Sequence, residues 1–334
     1  MPGATILGCE GFALLPDERQ FFREADPWGF ILFARNIETP EQVRRLTDDL
    51  RDAVGREAPV LVDQEGGRVQ RLRAPHWTEW LPPLEQMARA GADAVRSMWL
   101  RYRLIAAELR DVGIDANCAP LADIAGPATH PFLRNRCYGE DVATVTAASR
   151  AVADGLLEGG VLPVLKHIPG HGRATVDSHL SLPTVTAPLE ELERTDFAVF
   201  RALNDLPMAM TAHIVFPALD GERPATCSPI VMQTIRQDMG FGNLLMSDDI
   251  SMQALAGSLA ERSQLAIAAG CDVILHCNGK RAEMMEVVAA SGRMEGIAAE
   301  RGQRALAARH APDAVDLPAL RAELDRLLAE PVSG

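Results

Sequence analysis

The chain has 334 residues, enough for one large barrel or two modest domains, and 47% are hydrophobic, so a sizeable core can be buried. Lys plus Arg total 33 against 46 Asp plus Glu, a formal charge of -13. That balance argues against a nucleic-acid partner, whose phosphates would be repelled, and an anionic ligand would need a local cationic pocket. No apolar run approaches the roughly 20 residues of a membrane span, so no membrane partner is expected. Met1 to Glu10 lacks the basic start and the long apolar run of a signal peptide. The six cysteines, Cys9, Cys118, Cys137, Cys227, Cys271 and Cys277, form no C-x-x-C pair and sit mostly in apolar stretches. A cytoplasmic, reducing location is expected.

Short apolar runs alternate with longer helical patterns along the chain. The runs predict eight strands: Ala4–Gly8, Phe30–Ala34, Val60–Asp63, Asp115–Ala119, Leu162–Lys166, Met208–His213, Asn243–Asp248 and Asp272–His276. Several are apolar on both faces, as parallel strands covered by helices must be. The link between the first two looks irregular. Thr39-Pro40-Glu41-Gln42 supplies a cap, a proline at the first helical position and a glutamine at the third, and predicts a helix to about Val54. Further helices are predicted over Leu84–Val112, Glu140–Leu157, Leu189–Leu203, Met252–Ala269 and Arg281–Ala290, with a helical tail over Ile297–His310 and Leu317–Leu328. Eight such units predict an α/β fold, a single (β/α)8 TIM-type barrel over residues 1–334 with C-terminal helices at about 295–330. An open doubly wound sheet would carry a glycine fingerprint after the first strand, and Gly8-Cys9-Glu10-Gly11 is not one.

In such a barrel, active residues sit where strands end, on one face. The third predicted strand ends in Asp63-Gln64-Glu65-Gly66-Gly67-Arg68, followed by Arg71. The loop after the fourth holds Arg134 and Arg136. The fifth ends in Lys166-His167, within Lys166-His167-Ile168-Pro169-Gly170-His171-Gly172, and its loop continues to Asp177-Ser178-His179. The sixth ends at His213, the seventh in Ser247-Asp248-Asp249, and the eighth in His276-Cys277-Asn278. Gly170 and Gly172 keep the fifth loop from becoming helix or regular strand.

These motifs resemble bacterial β-N-acetylhexosaminidases of glycoside hydrolase family 3, of the short peptidoglycan-recycling type. The fifth-strand loop with Asp177-Ser178-His179 is the most specific match. Asp63 to Arg71 resembles the group's substrate-binding stretch, and Gly242 to Met252 its nucleophile strand. The resemblance spans roughly Gly29 to Gly279, in the expected order. It implies that Asp248 is the nucleophile, with Asp249 as the competing choice, and that His179, oriented by Asp177, is the acid and base. Imidazole titrates near neutrality, and a nearby carboxylate favours its protonated form. Asp63, Arg71, Arg136, Lys166 and His167 are the implied substrate-binding residues; His213 and Asn278 have weaker warrants. After the eighth strand about 55 residues remain, too few for a second domain to supply an acid.

The expected activity is retaining exo-β-N-acetylglucosaminidase action on N-acetylglucosamine-bearing anhydro-muropeptides, by a monomer without metal or organic cofactor. Two rival classes are a metal-dependent barrel hydrolase, using His167, His171, His179, His213 and Asp248 as ligands, and a non-catalytic amino-sugar-binding barrel. The first would be chelator-sensitive. The second would lack either a nucleophile or a donor.

Overall fold

The computed structural model describes residues 1–176 and 182–329. Asp177 and His179 therefore lie outside the described residues. Eight parallel strands surround one axis. They are β1 (Gly3–Gly8), β2 (Pro27–Leu32), β3 (Val60–Val62), β4 (Ala116–Asn117), β5 (Leu162–Ile168), β6 (Met208–Thr211), β9 (Leu244–Met246) and β10 (Ile274–His276). A small antiparallel hairpin, β7 (Val215–Phe216) with β8 (Asp220–Pro224), follows β6. The barrel strands pair in chain order, and β10 pairs back onto β1. The seam between β9 and β10 is closed by a parallel bridge of Met246 with Val273. The expected eight-stranded barrel is therefore the fold.

Helices cover the outside, and most begin where the sequence signals them. Thr39 caps the helix Pro40–Val54, its hydroxyl accepting the Gln42 amide at 3.2 Å. The first unit is irregular in its pairing, as expected: the β1–β2 register shifts between Gly3 and Ile6. A ten-residue helix, Pro16–Ala25, joins β1 to β2. Its start carries proline and two acids, but it ends at Asp26 in the left-handed region instead of at a glycine, so the usual stop signal is missing. The predicted helix Leu84–Val112 is broken at Gly91, and Leu189–Leu203 at Thr195. Helix Leu259–Ala269 starts later than predicted. Ser258 and Glu261 form a reciprocal cap there, which sets the boundary more sharply than apolar periodicity does. Among the described residues, no helix is long and apolar enough to cross a membrane.

Strand parity divides the core in two. Ile6, Ile31, Leu61, Ala116, Cys118, Leu162, Val164, Met208, Met210, Leu244, Met246, Val273 and Leu275 pack together inside the barrel. Their alternates, such as Leu7, Phe30, Val60, Val62, Leu165, Ala209, Leu245 and Ile274, pack outward against helices. The lower end is bolted by carboxylates that precede strands. Asp115 accepts the Val60 amide at 2.8 Å and pairs with Arg51 at 3.1 Å. Asp272 accepts the Leu245 amide at 2.8 Å and pairs with Arg236 at 2.7 Å and with Arg301 at 3.0 Å. Arg301 belongs to helix Gly296–Ala307, so one carboxylate holds both the closing seam and a C-terminal helix. Asp272→Ala is expected to lower stability by about 3 kcal/mol, because two partly buried guanidinium groups lose their counter-ion. Urea unfolding measures this. A loss under 1 kcal/mol would assign the seam's strength to apolar packing.

Candidate active site

The interior layers set up the site. Extending each strand by one inward position beyond its apolar ladder gives Phe33 after Ile31, Asp63 after Leu61, Lys166 after Val164, Asp248 after Met246 and Cys277 after Leu275. All five line one pocket at the upper end of the barrel, with Arg71, Arg136, His167, His171 and Met210. Its volume is about 280 Å³. The register of β5 shifts between Lys166 and Ile168, which lets successive residues Lys166 and His167 both reach the pocket.

Burying charges here is possible because they satisfy one another. The Lys166 ammonium is 2% exposed; it lies 3.0 Å from Asp63 and 2.6 Å from Glu65. Arg71 meets the other oxygen of Asp63 at 3.1 Å. Arg136 grips Glu65 with two parallel bonds, of 2.9 and 2.8 Å. Such fork-on-fork pairing is strong and directional. Burial alone would raise the Asp63 carboxyl, but Lys166 and Arg71 outweigh it and hold the group well below the usual carboxylate range. Burial likewise opposes ionisation of Glu65, yet Arg136 and Lys166 hold it down to about 2. The same carboxylates keep Lys166 protonated despite its burial.

A second buried cluster stands beside it. Asp123, at the end of the β4 strand loop, accepts the His167 ring Nδ1–H at 2.9 Å and the His171 amide at 2.6 Å. The bond to Asp123 fixes the tautomer of His167 and leaves its Nε2 for the pocket. Gly172 packs so closely on the Ile124 carbonyl that any side chain would collide with it, which brings His171 back over Asp123. His171 Nδ1 is buried without a partner among the described residues. Burial, helped by the neighbouring His167, holds the His171 imidazole down to about 3 against the pull of Asp123. The donor atoms of Asp123, His167 and His171 fall within 4.8 Å of one another, a spacing compatible with a cation. This set differs from the metal ligands considered from sequence, of which His213 and Asp248 are placed elsewhere.

The two adjacent aspartates have different surroundings. Asp249 gives its carboxylate to the Ser251 amide (3.0 Å) and hydroxyl and to the Cys277 amide (3.3 Å). Asp248 accepts one bond, from the Asp249 amide at 2.8 Å. Its second oxygen has no donor among the described residues and borders the pocket. Burial raises the Asp248 carboxyl, but His213, His167 and the Asp249 amide together hold it below its ordinary value. It is therefore an anion at neutral pH. His213 is structural in its bonding: Nε2–H donates to the Asp249 carbonyl at 3.0 Å, and Nδ1 accepts the Thr226 hydroxyl at 2.7 Å. Burial holds its imidazole below the ordinary value, consistent with that neutral tautomer. Asn278 turns away from the pocket to Glu283.

The structure thus brings together Asp63, Arg71, Arg136, Lys166, His167 and Asp248. Sequence reasoning missed Glu65 and Asp123 as site residues. The alternation Asp63-x-Glu65 at a strand end, and an acid three residues after Pro120, are the only signals for them. Glu65→Gln is expected to lower stability by about 3–5 kcal/mol, since Lys166 and Arg136 then share Asp63 alone. Thermal melting at neutral pH measures the loss; an unchanged melting temperature would remove Glu65 from the supporting network.

Stability should also depend on pH in a defined sense. The folded His171 titrates at about 3 instead of 6.5, so the unfolded chain binds more protons between those values and stability falls as pH drops through that window. Glu65 adds stability above 4.5 that is lost as pH falls toward 2. His171→Asn should flatten the slope between pH 6.5 and about 4.5 in urea unfolding. An identical slope would place the titration elsewhere.

The sequence matches the family described as "Glycosyl hydrolase family 3 N terminal domain" over residues 17–306. It is 40% identical over 279 residues to a beta-hexosaminidase of Methylococcus capsulatus, covering 80% of each protein. It is 37% identical over 296 residues to a beta-hexosaminidase of Vibrio cholerae, covering 86% of each. Among solved structures it resembles NagZ from Neisseria gonorrhoeae in complex with N-trifluoroacetyl-D-glucosamine. That match has a TM-score of 0.86 at 30% identity and covers 98% of each chain.

Proposed function

We propose that this chain, which belongs to glycosyl hydrolase family 3 and is a β-hexosaminidase, acts as a retaining exo-β-N-acetylglucosaminidase. The observation that carries the proposal is Asp248: an ionised carboxylate with one uncommitted oxygen, at a barrel strand end, facing a pocket of one-sugar size ringed by hydrogen-bond donors. The Arg71 Nε, buried without a partner among the described residues, is a donor that a sugar oxygen would satisfy. Asp63 offers its carboxylate to hydroxyls, and Lys166, Arg136 and His167 offer N–H groups to hydroxyls and the acetamido carbonyl.

In the proposed reaction the free oxygen of Asp248 attacks the anomeric carbon. The bond to the leaving oxygen breaks, and that oxygen takes a proton from His179. Water then attacks the anomeric carbon from the vacated face, giving its proton to His179 and releasing Asp248. Two inversions leave the β configuration retained. Asp177 orients His179 in this reading; both roles rest on the sequence motif. The whole reaction is assigned to one barrel domain. In this reading the proton comes from the loop after β5. The substrate is proposed to be terminal N-acetylglucosamine on anhydro-muropeptides, cleaved in the cytoplasm by a monomer during cell-wall recycling, with no metal required. Hydrolysis of an aryl N-acetyl-β-glucosaminide by purified protein, with and without chelator, tests the activity.

Asp248→Asn should remain folded and lose at least about a thousandfold in turnover, because the attacking anion is gone. A fluorinated sugar should label Asp248; a label on Asp249 would reassign the nucleophile. His179→Ala should slow glycosides with poor leaving groups far more than activated aryl glycosides, which need less proton donation. Equal loss on both would mean that His179 is not the acid.

A further inference from the structure

The charged donors of the pocket are already paired: Lys166 with Asp63 and Glu65, Arg71 with Asp63, and Arg136 with Glu65. His171 is placed differently. It lines the same pocket, is 7% exposed, and meets the His167 ring edge-on with centroids 5.1 Å apart. Its Nδ1 is sealed in the wall without a partner among the described residues, so the edge left to face the cavity is the one that carries Nε2.

What holds His171 is its backbone. Asp123 accepts its amide at 2.6 Å, and the His171 carbonyl accepts the Ala174 amide at 3.0 Å. The loop after β4 grips the residues that follow. The Thr129 hydroxyl donates to the Gly172 carbonyl and accepts the Gly126 amide at 2.7 Å. The His130 amide donates to the Ala174 carbonyl at 3.0 Å. None of these bonds uses the imidazole. A neutral imidazole has one N–H and one lone pair, and burial keeps His171 in that form, holding it down to about 3. Asp123 does not draw the proton to Nδ1, because its oxygens are taken by the His167 ring and the His171 amide. A proton on Nδ1 would be a buried N–H with no acceptor, which is rarer and costlier than an idle lone pair. The proton therefore belongs on Nε2, on the cavity side.

We infer that His171 is a further specificity-determining residue: its Nε2–H donates to one hydroxyl oxygen of the sugar in the pocket. This inference rests on the glycosidase reading above and adds a binding residue to it. An uncharged donor suits this pocket. The transition state of glycoside cleavage is oxocarbenium-like. A further cation near the anomeric carbon would oppose it, whereas a neutral N–H recognises a hydroxyl without that repulsion.

Isosteric side chains separate the two ring nitrogens. Glutamine puts its amide nitrogen near the position of Nε2, and asparagine puts its own near Nδ1. Aryl N-acetyl-β-glucosaminides lacking one ring hydroxyl at a time give kcat/KM for the wild type, His171→Gln and His171→Asn. His171→Asn should lose about three- to tenfold on the full substrate, as for one neutral hydrogen bond, and lose nothing more when one particular hydroxyl is also removed. His171→Gln should regain most of the activity and the wild-type dependence on that hydroxyl. Each variant is compared with itself across substrates, so a general loss of activity cancels. Rescue by asparagine and not by glutamine would place the role at Nδ1 and overturn the inference. The same dependence on every hydroxyl in all three proteins would overturn it too. Spectra of isotope-labelled histidine in the wild type need no variant to fold. With N-acetylglucosamine bound, His171 should carry its proton on Nε2, exchanging more slowly than in the free protein; a proton on Nδ1 sinks the inference. If the wild type cleaves no N-acetyl-β-glucosaminide, the proposed reaction falls instead. Equilibrium binding of N-acetylglucosamine and its deoxy forms, with the same variants, then still decides the role of His171.

Discussion

The constraint on which everything else depends is the alternation of side chains along strands that close on themselves. In an open sheet each residue faces one of two layers. In a closed parallel barrel one parity converges on an axis with room for only a few side chains per level. The chain fills the lower levels with Ile6, Leu61, Leu162, Leu244 and their neighbours. At the top the same parity turns polar, and Asp63, Lys166 and Asp248 arrive at one place without any loop having to carry them there. The geometry of the core and the location of the chemistry have a single cause.

Placing charges at the end of a dry barrel has a consequence. Each must be balanced before any ligand arrives. Lys166 sits between two carboxylates, and Arg136 answers the second of them, so the fixed charges form a closed, nearly neutral set. Such a set is costly to break and contributes little net stability relative to an apolar core. What it supplies is rigidity: donors and acceptors held at fixed positions on three different strand ends, with little freedom left to lose when a polar ligand binds. Asp248 is the exception. It is ionised but bonded at one oxygen only, by the Asp249 amide, and this sets it apart from the Asp249 carboxylate beside it and supports the proposed nucleophile.

The histidines divide in the same way. His213, at a strand end like the others, is bonded at both ring nitrogens and supports the backbone of the Asp248–Asp249 segment. His167 is bonded at one nitrogen, so its orientation is fixed while the other nitrogen remains for the pocket. His171 is buried and kept neutral. His167 in β5, His171 in the loop after it and His213 just past β6 share a residue type, and their partners separate their roles.

By itself the sequence determined the number, order and approximate extent of the eight barrel strands, though not the short hairpin β7–β8, because apolar runs and helical periods are local properties of the backbone. It also placed Asp63, Lys166 and Asp248 at strand ends, where barrel chemistry gathers; Asp249 lines the same pocket as Asp248, and its bonds to Ser251 and Cys277 set the two apart. Helix boundaries were less legible: Asp26 ends a helix where glycine is usual, and the cap at Ser258 lies well inside an apolar pattern. Only the tertiary structure decided who pairs with whom. Glu65 meets Arg136 across 71 positions, and Asp63 meets Lys166 across 103. Asp123 reaches His167 across 44, and the Gly66–Val69 turn is seated on Arg101 from a distant helix. Those contacts depend on the angular order of strands around the axis and on where each loop folds back. Neither quantity is written in the period of any single segment, so the partners that fix charge states and aim side chains emerge only when the barrel closes.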